Sequence, residues 1–298
     1  MNRNGLPRYR DLPALGGLGM RHARDVLPPT LGTLSFITPS DVAAAVATAE
    51  LGETVPVNLP VDAFQPPLFD RALLAHRIVE VGRNEAEDVL DAFNPQASSQ
   101  LDGLAHVRAR ELGYFDGSTD LETARQGLGM HHWAQRGLAG RGVLLDLAVP
   151  DPFDGSGIEP SDLLAAAEAQ RVALRPGDIL LVRTGWAAEF LRRADPRGVS
   201  AWRGLSAGED TAEFLWDQRI ALVGADNPAV ENSPGDVALG SLHRRLLPGL
   251  GMPLMELLDL ERLAARCAEI QRWTFFFVAV PLHVRGAVSS TANAMAIL

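Results

Sequence analysis

The sequence predicts an α/β fold, and two observations in the second half of the chain support this. The segments at 143–149, 178–183 and 220–225 are short and largely apolar without interruption, which is typical of parallel strands buried on both faces. The intervening segments at 160–170 and 209–218 have apolar residues at helical spacing. Alternation of this kind favours a parallel sheet covered by helices.

The remaining elements follow from local signals. Residues 1–30 are rich in Gly, Pro and Arg and are expected to form an irregular arm. Ser40 is the expected N-cap of an Ala-rich helix that ends near Gly52. The other predicted elements, in chain order, are strands at 54–59 and 73–81, an ambiguous segment at 88–93, a helix from about 120 to 137, a helix at 256–270 and an aromatic strand at 274–280.

Composition excludes several classes of function. The chain has 298 residues and a net charge of −10, with no basic cluster, so nucleic acid is not an expected partner. Every basic residue is Arg, which excludes a Schiff-base lysine and a Walker lysine. Cys267 is the only cysteine, so an intrachain disulfide and a Cys-rich metal site are excluded.

Targeting and cofactor motifs also narrow the choice. The N-terminus lacks the apolar core of a signal peptide, and the longest apolar run, at 275–282, is too short to span a bilayer. We therefore expect a cytoplasmic protein with no membrane partner. The sequence has neither a Gly-x-Ser-x-Gly elbow nor a Gly-x-Gly-x-x-Gly loop, which disfavours serine hydrolases and dinucleotide-binding oxidoreductases.

The segment at 94–106, Asn-Pro-Gln-Ala-Ser-Ser-Gln-Leu-Asp-Gly-Leu-Ala-His, carries the strongest functional signal. If it is extended, Gln96, Gln100, Asp102 and His106 point to one face, because side chains alternate along a strand. That face would present oxygen donors and one titratable base, which suits a metal ion and a water. A polar loop whose side chains only satisfy backbone groups is an equally good interpretation of the spacing alone.

The same segment resembles the signature H-x-G-T-H-x-D-x-P-x-H of the metal-dependent cyclase superfamily, which includes kynurenine formamidase and isatin hydrolase. The two ligand His positions are Gln96 and Gln100 here, whereas the Asp is kept at Asp102 and the final His at His106. In the family the first two His and the Asp bind metal, and the last His is the catalytic acid/base. The substitution of both His by Gln puts the identity and the presence of the metal in question.

Further blocks extend the resemblance from about residue 30 to the C-terminus. They lie, in order, at 140–146, 176–186, 224–231, 243–256 and 285–290. The resemblance implies a single swivelling β/β/α domain over residues 31–298 and a homodimer or homotetramer. It also implies that His243 and Glu256 supply the remaining metal ligands.

The resemblance implies a metal set of Asp102, Gln100, Gln96, His243 and Glu256, with His106 as the acid/base. Oxygen donors in place of imidazole shift the preference away from zinc towards manganese, magnesium or calcium, and we expect a divalent ion, manganese or zinc.

Substrate contacts are expected at two further positions. Ser99 occupies the Thr position of the signature. Trp186 follows a strand end, where an aromatic ring would make a wall for a planar substrate. Arg183 would hold a carboxylate or a structural ion pair, and the structural role is favoured.

Together these features predict a metal-assisted hydrolase that opens a small cyclic amide, an N-formyl amide or a lactone. Two alternatives remain open. One is a metal-free lyase or cyclase that uses Gln96 and Gln100 as hydrogen-bond donors. The other is a small-molecule binding protein without catalysis, against which the presence of Asp102 and His106 argues.

Overall fold

A computed structural model describes residues 5–193 and 198–298. The thirteen strands within these ranges are β1 Thr54–Pro56, β2 Ala75–Glu80, β3 Ala86–Asp91, β4 Gln100–Asp102, β5 Leu138–Asp146, β6 Gly157–Ile158, β7 Ile179–Arg183, β8 Gly204–Leu205, β9 Leu222–Ala225, β10 Leu254–Glu256, β11 Thr274–Ala279, β12 Ser289–Thr291 and β13 Ala294–Ile297. The helices there are α1 Pro39–Val46, α2 Leu121–Leu128, α3 His131–Arg136, α4 Pro160–Ala169, α5 Trp186–Arg192, α6 Glu209–Asp217, α7 Leu242–Arg244 and α8 Glu261–Ile270.

Nine strands form one mixed sheet in the order β1-β13-β11-β5-β7-β9-β10-β4-β12. The four strands β5, β7, β9 and β10 run parallel, and their neighbours on both sides are antiparallel. The central strands are buried along most of their length, as their continuous apolar runs predict. The fold is therefore a mixed α/β fold with a curled sheet, which confirms the predicted swivelling β/β/α class.

Residues 5–30 are irregular apart from a short 3₁₀ turn at Tyr9–Asp11. Tyr9, Leu12 and Ala23 are nevertheless buried in the main core, and the Tyr9 backbone N–H donates to Asp217 at 2.8 Å. This arm lies against α6. The proposed boundary between the arm and the catalytic domain at residue 30 stays a prediction. Buried residues of the arm and of the sheet belong to one hydrophobic cluster.

Several predicted element boundaries were wrong. Helix α1 is capped by Thr38, not Ser40, because Thr38 and Asp41 form a reciprocal capping box, and it ends at Val46 rather than near Gly52. The helix expected over 120–137 is two helices, since Gly129 adopts an extended conformation (ψ 149°) between them.

The helix expected over 256–270 begins only at Glu261. Glu256 instead ends β10, where Met255 pairs with Leu101 of β4 and with Gly224 of β9. This correction matters for function. Glu256 is a buried residue at the end of a strand and not the first residue of a helix.

Strands β2 and β3 form a separate two-stranded hairpin whose residues are mostly exposed. Among the described residues, no helix has the length and apolar character needed to cross a bilayer.

Candidate functional site

The pairing of β4 with β10 places polar side chains together at the edge of the parallel strands. The antiparallel register sets Gln100 directly opposite Glu256 and Asp102 opposite Leu254. Because alternate residues of a strand share a face, Gln100 and Asp102 lie on one side of β4. Gln100 Nε2 donates to Glu256 Oε2 at 2.5 Å, and all three polar side chains are buried.

Turns, not an extended strand, bring Gln96 and His106 to the same place. The predicted extended conformation holds only for Gln100–Asp102, because Asn94 Oδ1 accepts from the Gln96 backbone N–H and Gly103 O accepts from the His106 N–H. Gln96 Nε2 still lies 3.0 Å from Asp102 Oδ1 and 3.3 Å from His106 Nε2. The four residues therefore converge as the spacing predicts, by a different local geometry.

His106 is more accessible than the carboxylate beside it. Its side chain is 27% exposed, whereas Asp102 is fully buried, and its Nε2 lies 3.6 Å from Asp102 Oδ2. Gly103 makes this corner possible, since a Cβ there would lie 2.9 Å from the Val288 carbonyl oxygen.

His243 lies in α7, 137 residues after His106 in the sequence. Its imidazole lies between the carboxylates of Glu231 and Glu256. Its Nε2 lies 2.9 Å from Glu256 Oε1 and 3.9 Å from Asp102 Oδ2. Its Nδ1 lies 2.8 Å from Glu231 Oε1, and Glu231 Oε2 also accepts the Leu242 backbone N–H at 2.5 Å. Glu231 therefore fixes both the helix start and the orientation of the imidazole.

Asp102, His243 and Glu256 each offer one ligand atom, and these atoms lie within 4.8 Å of one another. Asp102 Oδ2 and Gln100 Oε1 are buried and have no hydrogen-bond partner among the described residues. A buried acceptor without a donor is unfavourable unless a cation or a water satisfies it. Two carboxylates, one imidazole and one amide oxygen are a donor set that suits a divalent ion such as manganese.

The protonation of the cluster follows from burial and charge. Burial, together with the Asp102 charge, raises the pKa of Glu256 to about 7. Burial alone would lower the pKa of His243, but the hydrogen bonds and charges of Glu231 and Glu256 raise it well above its ordinary value. The pKa of Glu231 is lowered despite burial, because it accepts hydrogen bonds from His243 and the backbone.

The two Gln side chains present their amide nitrogens to carboxylates. Gln96 contacts Asp102 and His106 through Nε2, and Gln100 contacts Glu256 through Nε2. In this orientation Gln100 Oε1 is buried without a hydrogen-bond partner among the described residues, and Gln96 Nε2 acts as a donor. The predicted ligand roles of Gln96 and Gln100 stay predictions.

The contacts of Ser99 and Trp186 within the described residues are to other groups than this cluster of donors. The Ser99 hydroxyl donates to the Leu257 carbonyl and accepts from the Leu59 N–H, so it joins two loops behind the site. Trp186 is 1% exposed and stacks on Phe190 with ring centroids 4.5 Å apart. The Ser99 hydroxyl keeps one acceptor lone pair, and substrate contact at Ser99 and at Trp186 stays a prediction.

The polar residues around Trp186 are structural. Arg183 forms ion pairs with Asp146 and Glu261 at 2.8 and 2.7 Å, in line with the structural role favoured above. Asp226 accepts hydrogen bonds of 2.7 Å from the Thr184 N–H, the Thr184 hydroxyl and the Gly185 N–H, and so positions the start of α5. Burial raises the pKa of Asp226 to about 6.

Sequence reasoning missed two residues at the site, Glu231 and Arg71. Glu231 ends the block at 224–231, but nothing in the sequence indicates that it holds His243. Arg71 donates a short hydrogen bond to the Gln96 carbonyl from an irregular loop. Its position depends on tertiary contacts that no local pattern encodes.

Comparison with known proteins identifies the family and the fold of the chain. The family model described as "Putative cyclase" matches residues 36–232. The crystal structure of a novel cyclase is 30% identical, with a TM-score of 0.80, over 90% of this chain and 94% of that chain. No match was found among curated proteins.

More distant structures share the fold. An isatin hydrolase bound to the product analogue thioisatinate is 15% identical, with a TM-score of 0.61, over 88% of this chain and 99% of that one. A predicted metal-dependent hydrolase from Bacillus stearothermophilus is 18% identical, with a TM-score of 0.52, over 82% of this chain and 97% of that one.

Proposed function

We propose that this chain, which belongs to the cyclase family, is a metal-assisted hydrolase that opens a small cyclic amide, an N-formyl amide or a lactone. The observation that carries the proposal is the convergence of Asp102, His243 and Glu256 within 4.8 Å of one another, with His106 beside them. Manganese fits the oxygen-rich donor set better than zinc does.

The ligand set in this proposal is Asp102, His243 and Glu256, with Gln100 Oε1 as a fourth donor. A divalent ion bound there would polarise the substrate carbonyl and lower the pKa of a bound water. Gln96 belongs to the site as the donor that links Asp102 to His106 and holds the imidazole at the edge of the cluster.

His106 performs the proton transfers in this proposal. Water attacks the carbonyl carbon, and His106 Nε2 gives up its 3.3 Å contact with Gln96 Nε2 and accepts the proton released by that water. His106 then returns the proton to the leaving nitrogen or oxygen as the C–N or C–O bond breaks. The products are a carboxylic acid and an amine or an alcohol, which remain one molecule when the substrate is cyclic.

Replacement of His106 tests this assignment. With manganese-loaded protein and a panel of cyclic aryl amides, N-formyl anilines and lactones, His106→Ala should lower kcat by about 10²–10⁴-fold. His76→Ala is the matched control, because His76 lies on the exposed hairpin paired with Asp88. Unchanged turnover in His106→Ala would remove the imidazole from the mechanism.

A second candidate, a metal-free lyase or cyclase, is favoured by one observation. Both carboxylates of the cluster already receive an amide N–H, Asp102 from Gln96 and Glu256 from Gln100. Elemental analysis of the purified protein separates the two candidates. Activity that is indifferent to chelator in protein without bound metal supports the metal-free reaction, whereas loss of activity on chelation and its return with Mn²⁺ supports the hydrolase.

The proposed partner is a small-molecule substrate, and the assembly we propose is a homodimer or a homotetramer. Light scattering coupled to size-exclusion chromatography measures this directly. A monomeric mass at micromolar concentration would overturn the proposed assembly without affecting the proposed chemistry.

A further inference from the structure

Arg71 reaches the site through an unusual stretch of backbone. It follows the 3₁₀ turn Leu68–Asp70, in which Phe69 (φ 59°) and Asp70 (φ 53°) are both left-handed. Two consecutive residues with a Cβ rarely adopt this conformation, because Cβ approaches the carbonyl oxygen. Strained backbone of this kind is concentrated at functional sites, so the side chain that it positions merits a functional explanation.

The guanidinium of Arg71 is held on one side and open on the other. Nη1 donates to the Gln96 carbonyl, and Cζ lies 5.0 Å from the centre of the Phe69 ring. Within the described residues, Nε and Nη2 have no hydrogen-bond partner and Arg71 forms no salt bridge. Nε and Nη2 together form the planar fork that binds a carboxylate through two parallel hydrogen bonds.

This open fork is next to the proposed reaction centre. The Gln96 residue that accepts from Arg71 also contacts Asp102 and His106 through its side chain. Burial lowers the pKa of Arg71, and the charges of Glu256 and Asp102 act in the opposite sense, so the guanidinium lies within electrostatic reach of the cluster. A half-buried cation without a paired anion is a ready site for an anionic ligand.

The segment before Arg71 also lines a cavity of about 690 Å³. Its apolar walls include Phe64, Leu68 and Phe69 from this segment and Phe190 from α5, and polar residues, among them Asp62, Asp70 and Arg193, also line it. Cavities lined by aromatic and aliphatic side chains bind the apolar body of a ligand, while a few polar groups fix its orientation. Arg71 itself does not line the cavity, but Phe69 lines it and also packs against the Arg71 guanidinium, so this ring connects the two.

We propose that Arg71 binds the carboxylate that hydrolysis creates on an aromatic product, with the ring of that product held by the adjacent cavity. This inference rests on the proposed hydrolase function and narrows its substrate to uncharged aryl amides or lactones. Hydrolysis converts a neutral carbonyl into a carboxylate. The hydrogen bonds from Arg71 to the ligand therefore become charge-assisted on both sides, and Arg71 binds the product more tightly than the substrate.

Binding of benzoate and benzamide tests the proposal without a known substrate. Titration calorimetry with the full chain, at matched metal content and again in chelator, should show that benzoate binds more tightly than benzamide. Arg71→Gln should weaken benzoate binding by about ten- to one-hundred-fold and leave benzamide binding nearly unchanged. Arg71→Lys keeps the charge but loses the fork, and should fall between the two.

Two controls address other guanidinium groups. Arg77→Gln removes an exposed Arg that is paired with Asp91, and should bind benzoate as the wild type does. Arg193→Gln removes a guanidinium that lines the cavity, and should also leave benzoate binding in place. Weakened binding in Arg193→Gln with normal binding in both Arg71 variants would overturn the proposal, as would the absence of benzoate binding to the wild type.

The outcome separates this inference from the proposed function. If benzoate binding depends on Arg71 but no amide or lactone is hydrolysed, the anion site stands and the hydrolase function fails. If hydrolysis depends on His106 but benzoate binds equally to wild type and Arg71→Gln, the hydrolase function stands and the role of Arg71 is refuted.

Discussion

Manganese binding is expected to weaken steeply as the pH falls from 8 to 6. The metal must displace protons from His243 and Glu256, since only the neutral imidazole and the ionised carboxylate are ligands. Glu256 has a pKa of about 7 in the metal-free protein, so its protonation alone lowers the affinity by about tenfold over this range. The pKa of His243 is raised well above its ordinary value, so protonation of His243 lowers the Mn²⁺ affinity by up to about a further tenfold per pH unit.

The assay is titration of metal-free protein with Mn²⁺ from pH 6 to 8, in pairs of buffers with different heats of ionisation, so that proton release is measured directly. Release should lie between one and two protons per ion, and Glu256→Gln should bind more weakly at pH 8 and with a shallower pH dependence. Glu53→Gln is the matched control, because Glu53 is an exposed carboxylate paired with Arg266. Affinity that does not vary with pH, or that is unchanged in Glu256→Gln, would refute the assigned ligands.

Three further substitutions test how the scaffold holds the site. Glu231→Gln should make Mn²⁺ binding less dependent on pH between 6 and 8, because loss of the Glu231 charge lowers the pKa of His243 towards its ordinary value, and an unchanged pH dependence would contradict this role. Asp226→Asn should lower the free energy of unfolding by about 1–3 kcal/mol in urea titrations, since an amide cannot accept all three hydrogen bonds from Thr184 and Gly185. Unchanged stability would mean that these hydrogen bonds do not stabilise the fold. Gly103→Ala should lower the free energy of unfolding by about 1–3 kcal/mol in the same assay, because its Cβ would lie 2.9 Å from the Val288 carbonyl oxygen. Wild-type stability would mean that the backbone at this corner can relax.

Much of the fold could be predicted from the sequence, because its central elements are locally determined. Strands β7 and β9 and the second half of β5 are apolar runs, although β5 spans 138–146 and not the predicted 143–149. Helix α4 begins at a Pro, and the Glu159 backbone N–H before it donates to Asp162. The error at Glu256 has a physical cause: Leu257, Leu260 and Leu263 have helical spacing, but the pairing of β10 with β4 and β9 is a long-range interaction that outweighs it.

The site was predictable only where a strand or a signature fixes it. Alternation along β4 places Gln100 and Asp102 together, whereas Gln96 and His106 reach them through turns that period-two reasoning does not describe. Glu231 and Arg71 act through contacts with residues 12 and 25 positions away in sequence, and neither contact follows from a local pattern.

Crystals of the protein grown with Mn²⁺ and measured for anomalous scattering test the central claim most directly. We expect one strong peak bonded to Asp102 Oδ2, His243 Nε2 and a Glu256 carboxylate oxygen, with His106 beside it and outside the coordination sphere. A fully loaded crystal with no peak between these three side chains, or with the ion bound elsewhere, would contradict the account.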